Sequence, residues 1–198
     1  MIVRGNASDG DIAMVLYRMR EHCRREMLLT RDSDDVDALY AELCALKRHA
    51  VLRNALIPPG HQEPAAIFIA YRASTHVAMF QTFSTDDWHL VARPFIRWFN
   101  EVIALSLRLA GVRLAEFNVL AEPEPNLRWF GLMNAVPWGG PLPRGRNGEL
   151  YQPMVWMPGG ARPGRAQSSD PGANRASPER ETVDASAGGL VSTITGAG

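Results

Sequence analysis

The sequence predicts one α/β domain over residues 1–157, with helices flanking a mixed sheet, followed by a long C-terminal tail. Three observations carry this reading. Stretches of helical and strand periodicity alternate from Asp9 to Met157. Two apolar runs are joined only by Arg72-Ala73-Ser74-Thr75, a gap that fits an antiparallel hairpin. After Met157 the composition turns to Gly, Pro, Ser, Ala and Arg, with Val183 the sole large aliphatic residue in 158–187.

In chain order, Asp9–Leu29 reads as a helix. Its acidic start suits the N-terminal turn, and Ile12, Val15, Leu16, Met19, Cys23 and Met27 recur at helical spacing. A second helix is expected from about Ser33, with Leu39, Leu43, Leu46 and Ala50 on its apolar face. Lys47, Arg48 and Arg53 fall in its C-terminal half, and Pro58-Pro59-Gly60 ends it. Ala65–Tyr71 and His76–Phe83 are the hairpin strands. Asp86–Ala110 is the strongest helix, apolar around much of its girth and expected to be largely buried. Pro94 leaves open either a kink or a start near that residue, and Gly111 is a natural stop. A strand at Val112–Leu120, a helix at Glu124–Asn134, a Gly/Pro-rich loop at Val136–Gly148 and a strand at Glu149–Met157 complete the domain. The strand–helix–strand unit around Asp86–Ala110 places its two strands parallel.

Lys and Arg together count 21, as do Asp and Glu, so no overall field points to nucleic acid, which is not expected as the primary partner. Cys23 and Cys44 fall in two helical patterns and read as free, buried thiols rather than a disulfide. The N-terminal stretch has no signal-peptide pattern, and no apolar run reaches the length of a membrane span. The five histidines have no metal-ligand spacing, so no metal is expected. Residues 158–187 carry balanced charge and read as a flexible linker. Residues 188–198 set Leu190, Val191 and Ile194 in a glycine frame and read as a docking peptide or as a disordered terminus. Trp138, in its Pro/Gly loop, is the candidate for an exposed interface anchor.

Three segments carry a family resemblance. Met19-Arg20-Glu21-His22-Cys23-Arg24-Arg25-Glu26-Met27, Val77–Asp87 and Pro125-Asn126-Leu127-Arg128-Trp129-Phe130-Gly131-Leu132-Met133 resemble, in order and spacing, the corresponding segments of a GNAT-like (N-acetyltransferase-fold) branch of bacteriophage virion proteins. Those relatives are internal or tail-associated proteins of short-tailed phages. The resemblance covers most of residues 10–157. It implies a mostly antiparallel sheet, protein partners within a virion, and assembly in a bacterial host cytoplasm.

Working members of the superfamily seat the coenzyme A diphosphate on backbone N–H groups of a Gly-rich turn before the main helix, an anion site of the helix-terminus kind. Here the turn is Ser84-Thr85-Asp86-Asp87-Trp88, and no glycine lies between Gly60 and Gly111. The two carboxylates repel a diphosphate, so no cofactor is expected. If the chain is nevertheless active, acetyl-CoA would meet this turn and Arg93. Active members often use a Tyr as general acid; none lies between Tyr71 and Tyr151. Glu116 and Glu122 are candidate bases, against a reading in which Glu116 faces solvent and Glu122 complements a helix start. The leading expectation is a catalytically degenerate, structural domain. The alternatives are an acyl-CoA-dependent N-acetyltransferase with a divergent cofactor loop, or a free-standing binding module.

Overall fold

The computed structural model describes residues 1–121 and 125–158. Its elements are β1 (Ile2–Gly5), α1 (Asp9–Tyr17), α2 (Glu21–Leu29), α3 (Val36–Ala45), β2 (Ala50–Ile57), β3 (Ala66–Arg72) and β4 (Val77–Ser84). They continue with α4 (Trp88–Trp98), α5 (Ala104–Leu109), β5 (Leu114–Leu120), α6 (Pro125–Gly131), β6 (Val136–Pro137), β7 (Leu142–Pro143) and β8 (Leu150–Trp156). One sheet runs β1-β2-β3-β4-β5-β8-β6, with β7 also on β8. Every pairing is antiparallel except β4 with β5. The mixed, mostly antiparallel α/β fold is as the sequence predicts.

The expected helix Asp9–Leu29 is two helices. Ser8 caps α1 in a reciprocal box with Asp11. The chain then turns extended at Arg20, whose N–H donates to the carbonyl of Ser84 at 3.0 Å. A tertiary partner outcompetes the helical bond there, and α2 restarts with Arg24 N–H on the Arg20 carbonyl.

The second predicted helix is shorter than expected. It ends at Ala45 and a 3₁₀ turn, Leu46–Arg48, and the chain becomes β2. Arg53, expected near the end of a helix, is a buried strand residue paired with Asp9. Its guanidinium holds the Asp9 carboxyl below its ordinary value. The tertiary slot between β1 and β3 overrides the helical pattern that Leu46 and Ala50 share with Leu39 and Leu43.

The long helix is α4, a π-helical turn at Phe99–Ile103, and α5. Pro94 lies inside α4, so the helix starts ahead of it. The helix is amphipathic rather than buried all round. Phe95, Phe99, Ile103 and Leu107 are buried, whereas Leu90, Val102, Leu105 and Leu109 are exposed. The loop after α6 contributes β6 and β7, two-residue strands on β8. Cys23 is buried as expected, Cys44 only half-buried, and both are free.

Each face of the sheet buries one core. Phe68, Phe80, Phe95, Phe99, Phe117 and Trp156 meet on the α4–α5 face, with rings in mutual edge and tilted contact. On the other face α1, α2 and α3 pack Ile12, Leu16, Leu39 and Leu43 against Ile67, Ile69 and Phe83. Among the described residues no helix is long and apolar enough to cross a membrane, and no cluster of three or more His, Cys, Asp or Glu could hold a metal ion.

Candidate functional site: the cleft between β4 and β5

The parallel pairing of β4 and β5 covers only Val77–Met79 against Leu114–Glu116. Beyond it the strands part. Thr85 N–H bonds the carbonyl of Ala65, so the odd residues of β4 bond β3 and the even ones, Phe80, Thr82 and Ser84, turn their backbones to the gap. On β5 the bond from Ala121 N–H to Leu150 carbonyl sets the same parity, leaving Asn118 and Leu120 facing the gap.

Helix α2 braces the parted strands from both sides. Arg20 N–H caps the Ser84 carbonyl on β4, and Glu26 Oε1 accepts the Leu120 N–H of β5 at 2.9 Å. Two adjoining pockets of about 380 and 200 Å³ share Glu26, Thr82 and Phe130. Phe130 is the aromatic side chain common to both, and Phe80 and Phe117 floor the larger one. Phe80 stacks on Phe117 at 5.8 Å, and Phe130 from α6 sits 4.8 Å from Phe117.

Glu26 is the most perturbed group in this cleft. Burial raises its carboxyl from the ordinary range to about 7, against the opposing effect of the Leu120 N–H bond and Arg20. His22 Nε2 lies 3.8 Å from Glu26 Oε2, and burial with Arg20 and Arg25 pushes that imidazole down. Both shifts favour the neutral form of the group concerned, and Glu26 changes its charge around neutral pH. The Tyr151 hydroxyl, on β8, donates to the Glu26 carbonyl at 2.8 Å, and burial together with Glu26 drives the phenol up to about 12. Gln81 Oε1, at the same wall, is buried without a hydrogen-bond partner. Glu26 belongs to the Met19–Met27 segment singled out above, but no role was assigned to it there. What places it in the cleft is the break at Arg20, which the periodicity did not reveal.

The turn from β4 into α4 spends several of its amides within the domain. Thr85 N–H goes to the Ala65 carbonyl, Asp87 N–H to Thr85 Oγ1, Trp88 N–H to the Thr85 carbonyl, and Leu90 N–H to the Asp87 carbonyl. Ser84 and Thr85 are buried, Asp86 is exposed, and the Trp88 ring lines the smaller pocket against Trp129 at 5.2 Å. The Arg20 guanidinium lies over that ring at 6.0 Å. With four of its amides bonded within the domain, two carboxylates beside it and an indole in place of a glycine, the turn does not fit the diphosphate of coenzyme A.

The other sequence candidates do not converge here. Arg93 lies in a separate groove with Met1, Val3, Arg97 and Trp98. Glu116 is exposed on β5, opposite Met79 and Val155. Trp138 is 58% exposed beside β8, its N–H on the Pro153 carbonyl. Glu122, Leu190, Val191 and Ile194 lie outside the described residues.

No family model and no curated protein matches the sequence. Solved structures do match the fold. The ribosomal-protein-alanine N-acetyltransferase from Brucella melitensis superposes with a TM-score of 0.59 at 9% identity, over 79% of this chain and 99% of that one. The spermidine N-acetyltransferase from Vibrio cholerae, in complex with CoA and spermine, gives 0.58 at 12% identity, over 79% and 95%. The fold is therefore that of the GNAT N-acetyltransferases. At these identities the likeness shows the fold and nothing of the activity.

Proposed function

We propose that this chain is a structural, protein-binding component of a bacteriophage particle, built on an N-acetyltransferase-like domain that does not perform acyl transfer, and attached to its assembly through its C-terminal tail, residues 158–198. The observation that carries the non-catalytic part is the β4–α4 turn, where the Thr85, Asp87, Trp88 and Leu90 amides bond groups of the domain itself and Asp86 and Asp87 stand where a glycine-rich seat would be needed. The particle assignment is supported by the order and spacing of the Met19–Met27, Val77–Asp87 and Pro125–Met133 segments. Deleting residues 158–198 is expected to leave the thermal unfolding of the domain unchanged, because β8 ends at Trp156, while abolishing incorporation into particles. Normal incorporation of the shortened chain overturns the attachment.

One observation favours a second reading, an acyl-CoA-dependent N-acetyltransferase with a divergent cofactor loop. Glu26, with its carboxyl near 7 and lining both pockets of the cleft, has the protonation behaviour of a general base. Under this reading Glu26, rather than Glu116, takes the proton of the acceptor.

A further inference from the structure

The outer edge of β1 and the adjoining face of α4 form a surface separate from the cleft. Ala7 N–H bonds the Arg53 carbonyl, and Ala65 N–H bonds the Leu56 carbonyl on the opposite side of β2. Odd residues of β2 therefore turn their backbones to β1 and even residues to β3. Register pairs Ile2 with Ile57 and Arg4 with Ala55, so Ile2 and Arg4 bond inward. Val3 and Gly5 turn their N–H and C=O groups away from the sheet. β1 is the terminal strand, and among the described residues no strand meets that edge.

Beside it α4 presents Arg93 and Arg97, one turn apart and both exposed. With Met1, Val3, Pro94 and Trp98 they line a groove of about 350 Å³. Among the described residues neither arginine takes part in an ion pair; Glu101, the acid of the groove, is in none either. Val3 packs toward the α4 face, whereas Arg4 reaches Asp11 on the other. A strand added to β1 would send alternate side chains toward the two guanidiniums and the intervening ones past Ile2, which is 57% exposed.

We propose that the β1 edge together with Arg93 and Arg97 docks an extended acidic segment of a partner protein, which adds a strand to the sheet and sets Asp or Glu at alternate positions against the two arginines. Backbone bonds to Val3 and Gly5 fix the register, and the guanidinium pair selects the acids. A peptide satisfies both features. A nucleic acid would use only the arginines, on a chain whose 21 basic and 21 acidic residues balance. The proposal is independent of whether the cleft is catalytic.

The test uses the full chain, isotope-labelled for NMR, and a panel of capped peptides of about eight residues with Asp, Ser or Lys at alternate positions and Val or Thr between them. Peptides of the Asp series are expected to bind about tenfold or more tightly than the Ser and Lys series and to shift the amides of Val3 and Gly5. The double variant Arg93→Gln/Arg97→Gln, at exposed positions, is expected to remove that preference while leaving the fold unchanged. N-methylation of alternate peptide amides should abolish binding in one parity and spare it in the other. Absence of binding by the Asp series, binding that survives the double variant, shifts confined to the β4–β5 cleft, or an oligothymidine that competes for the same arginines would each overturn the proposal.

Discussion

Glu26→Gln is expected to stabilise the domain above pH 7 by about 2 kcal/mol and to flatten its pH dependence. In the folded chain burial raises the Glu26 carboxyl from its ordinary range to about 7. The folded state therefore holds this proton more tightly than the unfolded state does. Between about 4.5 and 7 the folded chain binds more protons, so stability falls as pH rises through that window and is level above it. The full shift corresponds to roughly 3 kcal/mol. The side chain keeps 22% of its surface in solvent, which reduces the expected effect to about 2 kcal/mol. A neutral amide still accepts the Leu120 N–H through its oxygen and removes the charge. Denaturant unfolding of both proteins from pH 5 to pH 8 checks this. Parallel pH profiles would mean that Glu26 titrates as an ordinary surface carboxylate and that the α2 brace does not bury it.

The other large effect is expected from Phe95→Ala. Phe95 is fully buried, with ring centroids of Phe68, Trp88, Trp98, Phe99 and Trp129 all within 6.1 Å. It joins the sheet, the start of α4 and α6, and the rings around it are stiff and packed on one another. Truncation should cost about 3–5 kcal/mol. For a domain of this size that lowers the melting temperature by roughly 10–15 °C. Leu109→Ala, at 81% exposure in α5, should stay within about 0.5 kcal/mol of the parent and serves as the contrast. Equal losses from the two would contradict the packing described for the long helix.

The hairpin of β3 and β4, the crossover to β5 and the closing strand β8 were legible in the sequence because each is a local pattern bounded by turn residues. What was not legible depended on tertiary partners. The break before α2 exists because the Ser84 carbonyl, 64 positions away, takes the Arg20 amide. β2 replaces the end of a helix because β1 and β3 leave a slot that only a strand fills. The same logic governs the site. The poverty of the β4–α4 turn could be read from Asp86, Asp87 and the missing glycine. Glu26, Tyr151 and Gln81 come from three elements, and no spacing in the chain announces their meeting in the cleft. Arg93, read in sequence as an exposed helix face and only secondarily as a neighbour of the turn, is exposed and lines the groove beside β1.

The absence of acyl transfer is expected from the β4–α4 turn, where the amides of Thr85, Asp87, Trp88 and Leu90 are already bonded within the domain. Calorimetric titration of the full chain with acetyl-CoA at high micromolar concentration addresses it directly. The expected result is no saturable heat. Saturable binding that free coenzyme A displaces would contradict the account and make the cleft an acyl-transfer site with Glu26 at its centre.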